Sequence, residues 1–129
     1  MKESLRMEDF FSVSPETLYT SWLESETHSA MTGAEAKIDP KVGGAFTAWD
    51  GYIEGKNIEL VPNKKIVQEW RTTEFADDDE NSRLEILLEP EEGGTKLTLI
   101  HTHIPEGQKE SYEQGWNDYY FQPMKEFFV

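Results

Sequence analysis

The segment over residues 43–71 constrains the fold of this 129-residue chain more than any other stretch. It reads GGAFTAWDGYIEGKNIELVPNKKIVQEWR, in which two glycines precede a strand that carries aromatic side chains. Asp50-Gly51 is a strong signal for a tight hairpin, and Val61-Pro62-Asn63 marks a second turn before a strand that ends at Trp70-Arg71. The segment therefore predicts a curved antiparallel meander with large aromatic side chains.

The size and composition are those of one globular domain. A chain of 129 residues buries roughly two-thirds of the surface that it exposes when unfolded, so it needs no cross-links to hold a core. It contains no cysteine, which excludes disulfides and thiolate metal sites. We expect a single domain over residues 1–129, with no linker or second domain.

The charge of the chain limits its partners. Twelve lysines and arginines oppose 26 aspartates and glutamates, which gives a formal net charge of -14. Such a field repels phosphate backbones and anionic lipid surfaces, so we expect neither a nucleic-acid nor a membrane partner. No apolar run approaches the roughly 20 residues that a membrane span needs, and the first residues lack the apolar region of a signal peptide. We therefore expect a cytoplasmic protein.

Two short helices are predicted to interrupt the sheet early. A first strand covers residues 4–13. Ser14 is placed to cap a helix that has Pro15 at its first position, and Ser25 is placed to cap a second helix that ends near Gly33. Six strands are predicted to follow, over residues 34–39, 44–50, 52–60, 65–73, 82–89 and 95–103.

After residue 107 the pattern changes to that of a long helix with an aromatic stripe. The residues that recur at helical spacing are Tyr112, Trp116, Tyr119 or Tyr120, and Met124 or Phe127. Pro123 removes a backbone donor inside this helix, so we expect a kink or break near residues 119–122. The sequence thus predicts an α+β domain in which a long C-terminal helix packs on a curved antiparallel sheet.

Several short motifs give the chain a resemblance to a known family. They are SPExLY at 14–19, GGxF at 43–46, DGxIxG at 50–55, LVPxKxIV at 60–67, and the runs at 70–71, 104–105, 115–116 and 119–121. Together they span nearly the whole chain and resemble the homologues of the activator of the ninety-kilodalton heat-shock protein ATPase. The first and last motifs resemble the C-terminal domain of that co-chaperone in particular.

The resemblance implies the helix-grip fold of the START-like (SRPBCC) superfamily. It implies a non-enzymatic protein with a cavity between the curved sheet and the C-terminal helix. The predicted cavity residues are Phe46, Ala48, Gln68, Trp70, Leu84, Ile86, Leu97, Leu99, His101, Trp116, Tyr119 and Tyr120. Apolar walls with a few polar groups, here Gln68, His101 and a tyrosine hydroxyl, are typical of small-molecule pockets.

These features favour a non-catalytic domain that binds a hydrophobic small molecule. One alternative is a core that the same side chains fill completely, with no cavity. A second alternative is a co-chaperone-like protein that binds a ninety-kilodalton heat-shock chaperone and modulates its ATPase, in line with the resemblance and the acidic surface.

No motif in the sequence predicts catalysis or a cofactor. The GYIEGKN run at residues 51–57 is one residue shorter than a phosphate loop and lacks its hydroxyl. His101 and His103 are expected on one side of a strand, but no third metal ligand is suitably spaced. The capping role of Ser14 explains that residue. One place for His28, in the second short helix, is the mouth of a cavity, but we expect it to be exposed. An enzymatic cavity would rest on superfamily analogy alone, so we predict no enzyme.

Overall fold

The computed structural model describes residues 2–128 as one sheet with helices packed on it. The elements in chain order are β1 (Glu3–Phe11), α1 (Pro15–Leu23), α2 (Ser25–Thr32), β2 (Lys37–Ile38), β3 (Ala45–Ala48), β4 (Ile53–Val61), β5 (Lys65–Thr72), β6 (Ser82–Glu91), β7 (Gly94–Ile104), α3 (Lys109–Trp116), a π-helical turn (Asn117–Phe121) and α4 (Gln122–Phe127). The predicted order of elements is confirmed. The strand predicted over residues 34–39 is reduced to the two residues of β2.

The seven strands form one antiparallel sheet in the order β1-β7-β6-β5-β4-β3-β2. Its register sets buried side chains directly opposite one another. Leu84 pairs with His101 on one side and with Gln68 on the other, and Ile86 pairs with Leu99. Since directly paired residues point to the same face, these positions form one continuous buried surface under the helices.

The start of α1 follows the predicted capping pattern. The Ser14 hydroxyl accepts a hydrogen bond from the Thr17 N–H, and Pro15 occupies the first helical position. The capping role predicted for Ser25 is wrong, because Ser25 is itself the first residue of α2. Its hydroxyl instead accepts from the Ile38 N–H at 2.7 Å, and this bond ties α2 to β2.

The C-terminal helix changes its winding where Pro123 approaches. Proline removes an N–H, and its ring clashes with the carbonyl of the fourth residue before it. The backbone responds by widening over residues 117–121, where the Gln122 N–H donates to the Asn117 carbonyl five residues earlier. The predicted irregularity near residues 119–122 is therefore confirmed, and its form is a π-helical turn.

The core is one cluster between the sheet and the helices. From the C-terminal helix, Tyr112, Trp116, Tyr120 and Met124 are buried at successive i, i+4 positions. Of the two tyrosines that the sequence left open for this stripe, Tyr120 is buried and Tyr119 is 58% exposed. No helix among residues 2–128 is long and apolar enough to span a membrane. The predicted helix-grip arrangement of a curved sheet around a C-terminal helix is confirmed.

Candidate functional site

A pocket of about 230 Å³ lies between the C-terminal helix and the β3–β4 end of the sheet. Its lining residues are Trp49, Tyr52, Ile53, Trp70, Tyr112, Gly115, Trp116, Tyr119 and Tyr120. Seven of these nine are aromatic, and none carries a charged side chain. The volume lies below the roughly 300–1,000 Å³ of pockets for drug-sized molecules, so the space suits a ligand of one or two rings.

The β3–β4 turn supplies one wall of this pocket. Trp49 and Asp50 lie in the left-handed region, with φ values of 53° and 57°, which is rare for a bulky residue such as tryptophan. Two hydrogen bonds hold the turn: the Asp50 N–H donates to the Glu35 carbonyl at 3.0 Å, and the Glu35 N–H donates to Asp50 Oδ1 at 2.9 Å. The hairpin predicted at Asp50-Gly51 is confirmed, and this geometry directs Trp49 and Tyr52 to the rim.

The C-terminal helix supplies the opposite wall. Gly115 leaves a gap in it, because a Cβ atom added there would meet only Tyr119 Cδ2, at 3.7 Å. Tyr119 lies one turn further along and contacts Trp49 edge to face, with the ring centroids 5.5 Å apart. The pocket therefore exists because Gly115 has no side chain to fill it, and the rings of Trp49 and Tyr119 form its mouth.

His101 lies deeper than the pocket, at the centre of a closed hydrogen-bond chain. The Trp116 indole N–H donates to His101 Nδ1 at 3.2 Å, so the proton of the neutral ring is on Nε2. That nitrogen donates to Ser82 Oγ at 2.8 Å, and the Ser82 hydroxyl donates to the Trp70 carbonyl at 2.6 Å. Burial lowers the pKa of His101 from 6.5 to about 3. Both ring nitrogens are used within the protein, and neither is left for a ligand.

Gln68 belongs to a second closed network. Its Oε1 accepts from the Trp22 indole N–H at 3.4 Å, and its Nε2 donates to Asn57 Oδ1 at 2.9 Å. The Asn57 amide in turn donates to the carbonyls of Asp39 and Lys41. These bonds satisfy buried polar groups and join β4 and β5 to α1 and to the β2–β3 loop.

The expectation that His28 is exposed is wrong, since only 3% of the residue is accessible. Its Nδ1 is 2.8 Å from the Trp22 carbonyl and must carry the proton, so Nε2 accepts from the Tyr120 hydroxyl at 3.0 Å. Burial lowers the pKa of His28 and outweighs the opposing effect of its bond to Trp22. Burial likewise raises the pKa of Tyr120. His28 and Met31, three residues apart, share the buried face of α2. That helical spacing is the sequence signal that could have predicted the burial of His28.

The structure separates the predicted cavity residues into two groups. Those that line the pocket are Trp70, Trp116, Tyr119 and Tyr120. Those buried in the core outside the pocket lining are Phe46, Ala48, Gln68, Leu84, Ile86, Leu97, Leu99 and His101. The ligand-binding role of both groups stays a prediction. The lining residues that sequence reasoning missed are Trp49, Tyr52, Ile53, Tyr112 and Gly115, although Tyr112 belongs to the predicted stripe.

His103 does not share the inward face of His101, and that expectation is wrong. A bulge interrupts the pairing of β1 with β7 next to His103, which has φ of 61° and is exposed. Within residues 2–128 no group of three histidines or acidic residues is placed to hold a metal ion.

The curved sheet with a helix packed across it is the START-like helix-grip fold. The chain belongs to the family described as "Activator of Hsp90 ATPase homolog 1-like protein", which it matches over residues 12–128. The family is described by activation of an ATPase, not by a catalytic activity of its own.

Individual relatives extend this result. The chain is 32% identical over 124 residues to the human "Activator of 90 kDa heat shock protein ATPase homolog 1", a match over 96% of this chain and 36% of that protein. It thus spans about a third of that relative's length. A crystal structure of an HSP90 activator from Plasmodium falciparum superposes with a TM-score of 0.89 at 27% identity, over 96% of this chain and 94% of that one. The solution structure of the Aha1 dimer from Colwellia psychrerythraea shares the fold, with a TM-score of 0.82 at 14% identity over 98% of this chain and 96% of that one.

Proposed function

We propose that this chain binds a chaperone of the Hsp90 family and modulates its ATPase activity. The observation that carries the proposal is the similarity to the Plasmodium HSP90 activator, which covers nearly all of both chains. The human relative, an activator of the same class of ATPase, supports it over 96% of this chain. Because the net charge is -14 and interfaces pair opposite charges, we expect the contacted surface of the chaperone to be basic.

The direct experiment measures the ATPase rate of the Hsp90 chaperone from the same organism at increasing concentrations of this protein. A chaperone with its ATP-hydrolysing residue replaced serves as the control for contaminating ATPases. We expect a saturable change in rate, and a contact that weakens as salt is raised because the acidic surface steers association. An unchanged rate, together with no binding by calorimetry with or without nucleotide, would contradict the proposal.

A second candidate function is the binding of a small apolar molecule in the aromatic pocket. It is favoured by the uncharged lining and by the gap that Gly115 leaves in the helix wall. The first measurement is native mass spectrometry of the protein purified from its own host. A retained molecule is expected, and its mass would indicate the chemical class.

A pocket-filling variant makes the second candidate testable without knowledge of the natural ligand. Gly115→Leu places a side chain into the gap, whereas Gln114→Leu puts the same apolar residue at a neighbouring exposed position that does not line the pocket. We expect Gly115→Leu to abolish binding of an apolar fluorescent probe and Gln114→Leu to preserve it. Equal probe binding by the two variants would place the probe elsewhere on the protein and refute the second candidate.

A further inference from the structure

A polar recess adjoins the aromatic pocket. The recess has a volume of about 340 Å³, and it shares Tyr52 and Tyr112 with the aromatic pocket. Its remaining lining residues are Glu74, Gly107, Gln108 and Ser111. A molecule that passes between the two shared tyrosines would therefore contact aromatic rings at one end and polar groups at the other.

Among residues 2–128, Glu74 is the only charged residue in the lining of either space. Its backbone is held at both ends: its N–H donates to Thr72 Oγ1 at 3.1 Å, and its carbonyl accepts from Gln108 Nε2 at 3.1 Å. Within residues 2–128 its carboxylate forms no ion pair. Within residues 2–128, the exposed Glu74 thus brings a carboxylate to the edge of the recess, and this carboxylate has no ion-pair partner.

Tyr112 marks the boundary between the two environments. Its hydroxyl donates to Gln108 Oε1 at 2.6 Å and accepts from the Thr72 hydroxyl at 2.7 Å. Burial raises the pKa of Tyr112 to about 12, with smaller contributions that include the nearby Glu74 carboxylate. The hydroxyl is therefore neutral and fixed, and the charge at this boundary comes from Glu74 alone.

We propose that the joined pocket and recess bind an organic cation, whose apolar body lies among the aromatic rings and whose ammonium group faces Glu74. This inference rests on the proposed small-molecule function and assigns its ligand class. Aromatic faces attract cations, and no lysine or arginine lines either space to oppose one. The net charge of -14 raises the local concentration of cations and disfavours anions.

Three probes that share one naphthalene body test the proposal: a naphthylmethyl trimethylammonium ion, neutral naphthylmethanol and anionic naphthylacetate. Each is titrated into the full chain and followed by tryptophan fluorescence. We expect the cation to bind about 3- to 10-fold more tightly than the alcohol, since cation–π contact and one exposed carboxylate each contribute modestly. The anion should bind most weakly.

Matched carboxylate variants separate the role of Glu74 from that of the overall charge. Glu74→Gln should remove most of the preference for the cation. Glu110→Gln neutralises an exposed carboxylate on α3, outside the lining of the recess, and should retain that preference. Equal losses in the two variants would overturn the assignment to Glu74. Equal affinity of the cation and the alcohol would overturn the ligand class and leave the pocket intact. Binding of no probe would overturn both the pocket and this inference.

Discussion

The two sides of the helix–sheet interface differ in how their polar and aromatic groups are satisfied. On the sealed side are His101, Gln68 and His28. Both ring nitrogens of each histidine, and both polar atoms of the Gln68 amide, form hydrogen bonds to other groups of the protein. On the open side, Tyr119 is mostly exposed, and Trp49 is only partly buried where its ring meets that of Tyr119.

The difference indicates what each side contributes. A closed polar network inside a core specifies packing and is costly to disturb, because any missing partner leaves a buried polar group unpaired. An open aromatic surface contributes less to stability, and another molecule can contact its exposed rings. We therefore assign stability to the sealed side and binding to the open side, and three pairs of variants test this assignment.

The largest expected effect comes from comparing two glycines: Gly55 lies in the tightly packed sheet, and Gly115 lines the pocket. Gly55→Ala should destabilise the fold by at least about 3 kcal/mol, because its Cβ would overlap the Glu69 carbonyl and meet the Phe46 ring at 2.8 Å. Gly115→Ala should stabilise it by up to about 1 kcal/mol, since alanine favours the helix and meets only Tyr119. Urea unfolding measures both changes. A similar loss for both would remove the distinction between the two sides.

The next effect concerns the buried imidazole. His101→Leu should cost about 2–4 kcal/mol, because Trp116 loses its acceptor and Ser82 loses a donor in a site that excludes water. His103→Asn is the matched control: it removes an exposed histidine and places asparagine, which tolerates a positive φ, at that position. We expect this control to remain within about 0.5 kcal/mol of the parent in thermal unfolding. If His101→Leu lowered the free energy of unfolding by less than about 1 kcal/mol, water would have to reach Trp116 and Ser82 and replace the lost hydrogen bonds.

The same imidazole predicts how stability depends on pH. In the folded state the pKa of His101 is about 3, whereas an unfolded histidine has a value near 6.5. Below pH 6.5 the unfolded chain therefore binds a proton that the folded chain excludes, and stability falls as pH is lowered through this range. His101 alone should lower the free energy of unfolding by about 2 kcal/mol between pH 7 and pH 5.

The pH experiment compares slopes rather than absolute stabilities. Urea unfolding at pH 7, 6 and 5 should give a smaller slope for His101→Leu than for the parent, while His103→Asn should keep the parent slope. The lowered pKa of His28 acts in the same direction and remains in all three proteins. Parallel slopes for the parent and His101→Leu would show that the imidazole becomes protonated in the folded state.

The smallest expected effect compares two tryptophans. Trp49→Phe should change stability by less than about 1 kcal/mol, because Trp49 is only partly buried and phenylalanine keeps an aromatic ring against Tyr119. Trp116→Phe should cost more, about 1–3 kcal/mol, because His101 Nδ1 then loses its donor. Chemical denaturation of the two variants in parallel gives the comparison, and a reversed order would contradict it.

Sequence patterns predicted the sealed side better than the open one. Strand alternation identified inward residues such as Leu84 and Leu99, because one buried face forces a period of two. The i, i+4 stripe identified Tyr112 and Trp116, and the rule that proline removes a backbone donor predicted the irregular turn before Pro123.

The residues of the pocket mouth escaped sequence reasoning for a physical reason. Trp49 and Tyr52 flank a turn, so neither helical nor strand periodicity applies to them, and the left-handed conformation of Trp49 depends on bonds to Glu35 across the fold. The same limit explains His28 and His103. The burial of His28 depends on the distant Tyr120, and the exposure of His103 depends on a bulge in its strand.

The most direct test of the assignment follows the four indole N–H resonances of the protein by NMR during titration with naphthylmethanol. Trp49, Trp70 and Trp116 line the pocket, and Trp22 does not, so it is an internal reference. We predict saturable shifts for the first three resonances, a much smaller shift for Trp22, and no shifts in Gly115→Leu. Uniform shifts of all four, or none at saturating probe, would contradict the assignment of binding to the open side.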